Sequence, residues 1–187
     1  MKHRTRAAGV ALLAVVMAIA SSTSAFAASA DAKKKPKGPK VVVNEACTML
    51  WDARIEKAFG GPVTILPDAT LAGPAGCAAS TGIDPTAPPG GTLQVFQEYP
   101  TIISGNPNAR AAVEDRRAGD ALSDDVLTDV DTVGKSAYFN RTKGTITVLV
   151  TKKFAFTLQW ARAGDVAMTD ADQAALVSLA KNVVARA

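Results

Sequence analysis

Two cysteines, Cys47 and Cys77, are the only thiols in this chain of 187 residues. A cysteine can act as a nucleophile, a metal ligand, a lipid attachment point or half of a disulfide. Lipid attachment needs a cysteine directly after the apolar part of an export signal, and Cys47 lies well downstream. A metal site with two thiolates and no imidazole lacks ligands. For an exported chain, we therefore predict a disulfide that closes a loop of about 30 residues and stabilises the fold by about 3.5 kcal/mol. A reactive or intermolecular thiol is the alternative.

The single histidine, His3, lies in the segment that we predict below to be an N-terminal export signal. A mature chain without histidine cannot host a Ser-His-Asp or Cys-His centre, and it cannot build His-ligated zinc or non-haem iron sites. Ser178 and Lys181 match the Ser-x-x-Lys of penicillin-binding enzymes, but they lie deep in a predicted helix and Lys-Thr-Gly is absent. We predict no catalytic residue, no metal ligand and no cofactor.

Carboxylates are the remaining groups that could do chemistry. Five aspartates lie between Asp120 and Asp131, which indicates a solvated acidic connection, with an accessory calcium site as the alternative. The pairing of carboxylates for glycan hydrolysis also stays open, because sequence does not show their separation in space. A glycosylation sequon, Asn140 to Thr142, matches by pattern alone.

The N-terminus has the three parts of a secretory signal. Lys2, Arg4 and Arg6 precede an apolar run from Ala7 to Ala20, and Ala25-Phe26-Ala27 supplies the cleavage pattern. The apolar run of about 14 residues is short for a membrane span of about 20. The sequence predicts a signal peptide over residues 1–27, a secreted protein that is extracellular or associated with the cell wall, and no stable membrane insertion after cleavage.

A Lys- and Pro-rich leader over residues 28–43 follows the predicted signal. It lacks the apolar residues needed to offset ordering entropy, so we expect it to be disordered. Its five lysines, between Lys33 and Lys40, serve as a spacer or make electrostatic contact with anionic wall polymers or lipid headgroups. Over residues 44–187, 13 basic residues stand against 16 acidic ones, which does not support a nucleic-acid partner.

Residues 44–187 predict a single α+β domain. Apolar residues recur at helical spacing from Asn44 to Phe59, with two short helices meeting near Trp51, Asp52 as a cap, and Gly60 in the left-handed position that ends the helix. Residues 67–91 indicate an irregular excursion with a short strand near Cys77.

Three strands and two helices are predicted after this excursion and the strand 92–99. A helix starts at Pro107 and Asn108 and ends at Gly119. Strands 136–140, 145–151 and 154–160 alternate in polarity, so one side of their sheet is expected to be more exposed. Thr169 or Asp170 caps a final amphipathic helix. We predict a two-layer α+β fold in which a mostly antiparallel sheet is packed by the N-terminal disulfide-linked helix and the C-terminal helix.

The segment ACTMLWDARIEKAFG resembles the opening of a group of actinobacterial exported proteins and lipoproteins of unknown function. Their module reads approximately Cys-x-Leu-Leu-Thr-x-x-Glu-Val-x-x-x-Leu-Gly, followed by a second cysteine after a variable loop. The matching positions here are Cys47, Leu50, Ile55, Phe59 and Gly60. The segments VGKSAYF and LAKNVVARA are similar to later parts of that module, so the resemblance covers residues 46–187. It implies an α+β module of the cell envelope and brings no catalytic residues.

These observations favour a secreted, non-catalytic binding or interaction domain of the bacterial envelope, with an unidentified ligand or protein partner. The more exposed sheet face and the loop 67–91 are its expected contact surfaces. The alternatives are a glycan-cleaving envelope hydrolase that uses carboxylates only, and a structural wall protein held by the lysine tail.

Overall fold

A seven-stranded antiparallel sheet organises the described part of the chain, and three helices pack against it. The structure is a computed structural model that describes residues 38–42, 45–66, 76–82, 90–98 and 108–187. The sheet order is β1-β2-β3-β7-β6-β5-β4. In chain order the elements are a 3₁₀ helix Ala46–Met49, α1 Asp52–Phe59, β1 Val63–Leu66, β2 Gly76–Thr81, β3 Gly91–Gln97, α2 Ala109–Ala121, β4 Leu127–Asp129, β5 Ser136–Asn140, β6 Thr145–Thr151, β7 Phe154–Arg162, a 3₁₀ helix Ala163–Asp165, and α3 Asp170–Arg186.

Two meanders, β1-β2-β3 and β4-β5-β6-β7, join where β3 pairs with β7. The chain crosses between them through α2, which lies over one face of the sheet. The predicted α+β fold class is confirmed, as are the hairpin between β5 and β6 and the strand that follows it. Strand β1 was not predicted, because a four-residue edge strand with alternating partial exposure carries little apolar pattern.

The apolar face of the sheet forms the main core. One cross-strand row runs through Cys77, Val95, Leu158, Ile146 and Phe139, and each of these side chains is at most 1% exposed. Helix α3 buries its apolar stripe against this face, and α1 packs beside α3. The expected covering of the sheet by an N-terminal and a C-terminal helix is therefore observed.

The helix ends follow the predicted caps in part. Thr169 caps α3 and forms a capping box with Asp172. Helix α1 starts after Trp51, so the expectation that Asp52 caps it is wrong; Asp52 is its first residue. Gly60 ends α1 as predicted, with φ of 77°, although its ψ of 167° is extended rather than left-handed helical. A side chain is disfavoured at this φ.

The opposite face differs from its prediction. Thr147, Leu149, Ala155 and Thr157 are at most 3% exposed, whereas alternation had indicated a more exposed side. Helix α2 covers this half of the sheet with Ala109 and Val113, among others. It ends at Ala121 rather than at Gly119, because Gly119 adopts no positive φ and continues the helix.

The packed domain begins before residue 44, where the sequence had placed its start. Val41 is 3% exposed, and its amide donates to the carbonyl of Arg186. The Arg186 guanidinium donates to the carbonyl oxygens of Pro39, Thr48 and Met49 at 2.8, 3.1 and 2.6 Å. This buried cation therefore ties residues 38–42 to the end of α3, and the predicted leader is packed over that part.

The described residues belong to one compact unit. The predicted signal peptide, the leader up to residue 37 and most of the excursion 67–91 lie outside the described residues. Within the described part, no helix combines the length and apolar character that a bilayer crossing requires.

Candidate functional site

A cleft of about 450 Å³ lies between α2 and the sheet edge formed by β4 and β5. Helix α2 supplies one wall with Arg110, Glu114 and Arg117, which share one side of the helix because they are four and three positions apart. The facing wall comes from the end of β4, the following turn and the start of β5. Its polar residues are Asp129, Asp131, Lys135 and Ser136.

Each wall of the cleft is held by a local feature. Asn108 caps α2, and its side-chain oxygen accepts a hydrogen bond from the amide of Ala111 at 2.9 Å. The opposite turn bends at Gly134, whose φ is 62°. A side chain there would lie 2.6 Å from the carbonyl oxygen of Leu149. The turn therefore requires glycine to bring Lys135 to the cleft.

The cleft walls carry both signs of charge. Arg110, Arg117 and Glu114 lie on the α2 wall, and Lys135, Asp129 and Asp131 lie on the wall opposite, so each wall has cations and carboxylates. Arg117 and Asp129 pair across the cleft at 2.6 Å between Nη1 and Oδ1. The hydrogen bond from Arg117 lowers the pKa of Asp129, and the same bond raises the pKa of Arg117. The other two members of each sign form no ion pair among the described residues, and the surface suits a ligand that carries both charges.

The floor of the cleft is apolar and includes one aromatic ring. The ring of Tyr138, 1% exposed, lies 5.5 Å from the guanidinium carbon of Arg117, a distance typical of a cation–π contact. Val113 and Leu149 complete the apolar part of the floor. A ligand in the cleft would therefore meet mainly the charged walls, because Val113, Tyr138 and Leu149 beneath them are at most 6% exposed.

A buried network fixes the Tyr138 side chain. Its hydroxyl donates to Oδ2 of Asp120 at 2.9 Å. Lys143 bridges Oδ1 of Asp120 and Oδ2 of Asp125 at 2.8 and 2.9 Å. Asn140 donates to the same oxygen of Asp125 at 2.9 Å. The network thus links the end of α2, the loop after it and the β5–β6 turn.

This network sets the protonation of its members. Burial, together with the hydrogen bond to Asp120, raises the pKa of Tyr138 to about 12. Burial alone would raise the pKa of Asp120, but hydrogen bonds from Lys143, Tyr138 and Asn140 outweigh it and lower that pKa. At neutral pH the phenol is therefore protonated and the carboxyl ionised, so neither group is poised to exchange a proton with a ligand.

A second polar chain supports α2 farther along the sheet. Tyr138, Thr147 and Thr157 are register neighbours on β5, β6 and β7. The hydroxyls of Thr147 and Thr157 lie 2.8 Å apart, and Thr157 donates to Glu98 at 2.6 Å. Glu98 also accepts from Arg116 of α2 at 2.9 Å. The alternation of polarity along the strands had predicted that these threonine hydroxyls face solvent. They instead form hydrogen bonds with each other and with Glu98 beneath α2.

The predicted site residues lie elsewhere in the fold. Cys47 and Cys77 form the predicted disulfide, with their Cα atoms 5.0 Å apart. Cys77 belongs to the apolar row on the face opposite α2, and Gly60 follows α1. The bridge is thus architectural: it ties the first helical segment to β2. Ser178 and Lys181 lie on the exposed side of α3, away from the cleft.

The acidic stretch 120–131 is not simply a solvated connection. Asp120 is 6% exposed and Asp125 pairs with Lys143. No group of three or more acidic or cysteine side chains in the described residues is arranged to hold a metal ion. Asn140 of the sequon is fully buried and donates to Asp125, so its amide is not accessible to a modifying enzyme.

The cleft was not predicted from the sequence. Its only local signal is the placement of Arg110, Glu114 and Arg117 on one side of a helix, which also fits an ordinary solvated helix face. The facing residues are 12 or more positions away, and their pairing depends on α2 crossing the sheet. No protein-family model, curated protein or solved structure matches this chain. The resemblance to the two-cysteine envelope module stays a prediction.

Proposed function

We propose that this chain is a secreted, non-catalytic binding module of the bacterial cell envelope, and that the cleft between α2 and β4–β5 takes a small zwitterionic ligand such as a short peptide. The observation that carries the proposal is the pattern of charge in the cleft, with three cations and three carboxylates around an apolar floor. A volume of about 450 Å³ accommodates a ligand of a few residues.

An exported location is supported by the disulfide and by the N-terminal sequence. The chain's two cysteines form one disulfide, and such bonds persist in oxidising compartments. The residues before the domain have the order of charges, apolar run and small residues of a secretory signal. An exported location would bring the chain to ligands or partners of the envelope.

Binding without turnover is supported by the protonation states of Asp129 and Asp120. A glycan-cleaving enzyme needs one carboxylic acid whose pKa is raised so that it can donate a proton. The cleft residue Asp129 has a lowered pKa because Arg117 bonds to it, and the pKa of Asp120 beneath the floor is lowered too. The Tyr138 hydroxyl is engaged with Asp120. These groups favour a fixed electrostatic surface.

Calorimetric titration with a panel of alanine di-, tri- and tetrapeptides tests the proposal. We expect saturable binding of at least one peptide, and at least tenfold weaker binding when both of its ends are capped, because the capped peptide loses its two charges. Lys135→Gln should weaken binding through the peptide carboxylate, and Asp131→Asn through its ammonium group.

Lys152→Gln and Glu56→Gln are matched controls, because both residues are exposed and lie outside the cleft. These controls should retain the affinity of the unmodified protein. Equal affinity for capped and free peptides, or no binding across the panel, would refute the zwitterionic ligand. Release of alanine during the titration would instead establish a hydrolase.

A further inference from the structure

A second groove, on the opposite side of the sheet, has a single sign of charge. It lies between α1 and α3, encloses about 540 Å³, and is lined by three cations, Arg54, Lys57 and Lys181. Between the cations, α3 lines the groove with the small side chains of Ala171, Ala175 and Ser178, together with Leu179 and Asn182. Among the described residues, no carboxylate lines it.

The three cations are available to a ligand. Arg54, Lys57 and Lys181 are exposed, and none of them forms an ion pair with a carboxylate in the described part of the chain. The acidic residues of α1, Asp52 and Glu56, do not line the groove. Such a concentration of positive charge stands out because residues 44–187 carry more acidic than basic side chains.

The basic N-terminal segment enters the domain at one end of this groove. Gly38 lies against the ring of Trp51, where an added Cβ would be 2.5 Å from the ring. Arg54 lies over the same ring at 5.1 Å, and Arg186 lies at 5.7 Å. Arg186 in turn holds the carbonyl of Pro39 and bonds to Asn182, a groove residue.

The described part of this segment carries a further cation. Exposed Lys40 lies two residues after Gly38, and the sequence places four more lysines within the five residues before Gly38. Burial, and next to it the charge of Arg54, lowers the pKa of Arg186, because both guanidinium groups lie over the Trp51 ring.

We infer that the α1–α3 groove is a binding site for a linear polymer of polyol phosphate, held by Arg54, Lys57 and Lys181 through its phosphodiester groups. This inference goes beyond the proposed ligand of the α2 cleft, with which the groove shares no described residue. A polymer suits the groove better than one small anion does, because exposed single ion pairs are weak and several phosphate contacts add through the release of counterions.

The lining of the groove argues for a polyol phosphate over a nucleic acid. Single-stranded nucleic acids are held largely by bases that stack on aromatic side chains. The described residues that line the groove include no aromatic side chain, so bases would gain no stacking there. A polyol backbone has no base and fits the small side chains that line the groove between the cations.

Fluorescence anisotropy with labelled poly(glycerol phosphate) of about ten units tests the inference on the purified protein. We expect K57Q/K181Q to weaken binding about tenfold, while the charge-matched K152Q/K153Q, on the β6–β7 turn, leaves it unchanged. The slope of log K against log salt should decrease in magnitude by about 1.4 in K57Q/K181Q, at about 0.7 for each lost phosphate contact. Thermal melting of each variant confirms that it is folded.

Two further arms distinguish binding in the groove from binding by the leader lysines and from affinity for any polyanion. In the first, K33Q/K34Q/K35Q/K37Q removes leader charge. If this variant abolishes binding while K57Q/K181Q binds like the unmodified protein, the groove is not a site. In the second arm, an oligothymidylate of equal charge replaces the polymer, and equal or tighter binding of it would overturn the assignment to polyol phosphate. K57Q/K181Q should leave peptide binding in the α2 cleft unchanged. The groove and the cleft are therefore tested independently of each other.

Discussion

Tyr138→Phe is the most informative single change beneath the α2 cleft, because it removes one hydroxyl and keeps the ring. The hydroxyl donates at 2.9 Å to the carboxylate of Asp120, which is 6% exposed. A hydrogen bond to a charged group contributes about 1.5–3 kcal/mol. Asp120 retains the Lys143 bond, so we expect the free energy of unfolding to fall by about 2 kcal/mol, which is about 4–8 °C in Tm for a domain of this size.

The pH dependence of that loss identifies its cause. The pKa of Tyr138 is raised to about 12 from the ordinary 10, so its contribution to stability is complete below pH 10 and is lost as pH rises from 10 to 12. The pKa of Asp120 is lowered, so its contribution is complete above the ordinary value and is lost as pH falls below it. The difference between the two proteins should therefore be largest from about pH 5 to 9 and shrink on both sides.

Urea unfolding of the unmodified protein, Tyr138→Phe, Asp120→Asn and the double variant, at a series of pH values, measures this effect. In the Asp120→Asn background, Tyr138→Phe should cost less than half of its cost in the unmodified protein, because the charged acceptor is gone. An equal cost in both backgrounds, together with a loss that does not vary with pH, would refute the hydrogen bond to Asp120 as the cause.

Four other variants test the scaffold by thermal and urea unfolding. Cys47→Ala/Cys77→Ala should lower the free energy of unfolding by about 3.5 kcal/mol through the 30-residue separation, and a reducing agent should then no longer shift Tm; an unchanged stability would contradict a structural bridge. Arg186→Lys should cost about 2–4 kcal/mol because an ammonium group cannot reproduce the fork that holds three carbonyls, and a loss under 1 kcal/mol would contradict the clamp. Gly134→Ala should cost at least about 2 kcal/mol, from the positive φ and the close carbonyl, whereas Gly119→Ala in α2 should stabilise by up to about 1 kcal/mol; the reverse order would contradict both turn and helix assignments.

Two strands and the disulfide were predictable, because the sequence carries a local pattern for each of them. Alternation over residues 145–151 and 154–160 placed β6 and β7 within two residues of their observed ends. The two cysteines had one pairing available, and it is the pair that forms. A strand can be predicted from a two-residue period, and a disulfide from a single available cysteine pair, without knowing which distant residues meet in the fold.

The second face of the sheet could not be predicted in the same way. Thr147 and Thr157 have side chains that a strand pattern assigns to solvent, yet their hydroxyls pair with each other and with Glu98 under α2. That burial is acceptable only because each hydroxyl finds a partner, and the partners lie on other strands. Local polarity therefore gave the wrong exposure for this half of the sheet.

The surroundings of the acidic residues after α2 could not be predicted from local sequence either. Asp120 and Asp125 are read locally as solvated carboxylates, but both bond to Lys143, which is 23 positions from Asp120. Only the fold brings that lysine between them. The cleft above the network could not be predicted for the same reason, because its two walls meet only after α2 has crossed the sheet.

An NMR titration of the ¹⁵N-labelled protein with trialanine is the sharpest test of the α2 cleft as a non-catalytic binding site, because it reports both the position of the ligand and its fate. We predict amide shifts that cluster at residues 110–117 and 129–136, saturate with added peptide, and leave the peptide resonances intact over a day. Shifts confined to another surface, the absence of shifts at saturating peptide, or the appearance of free alanine would contradict this role of the cleft.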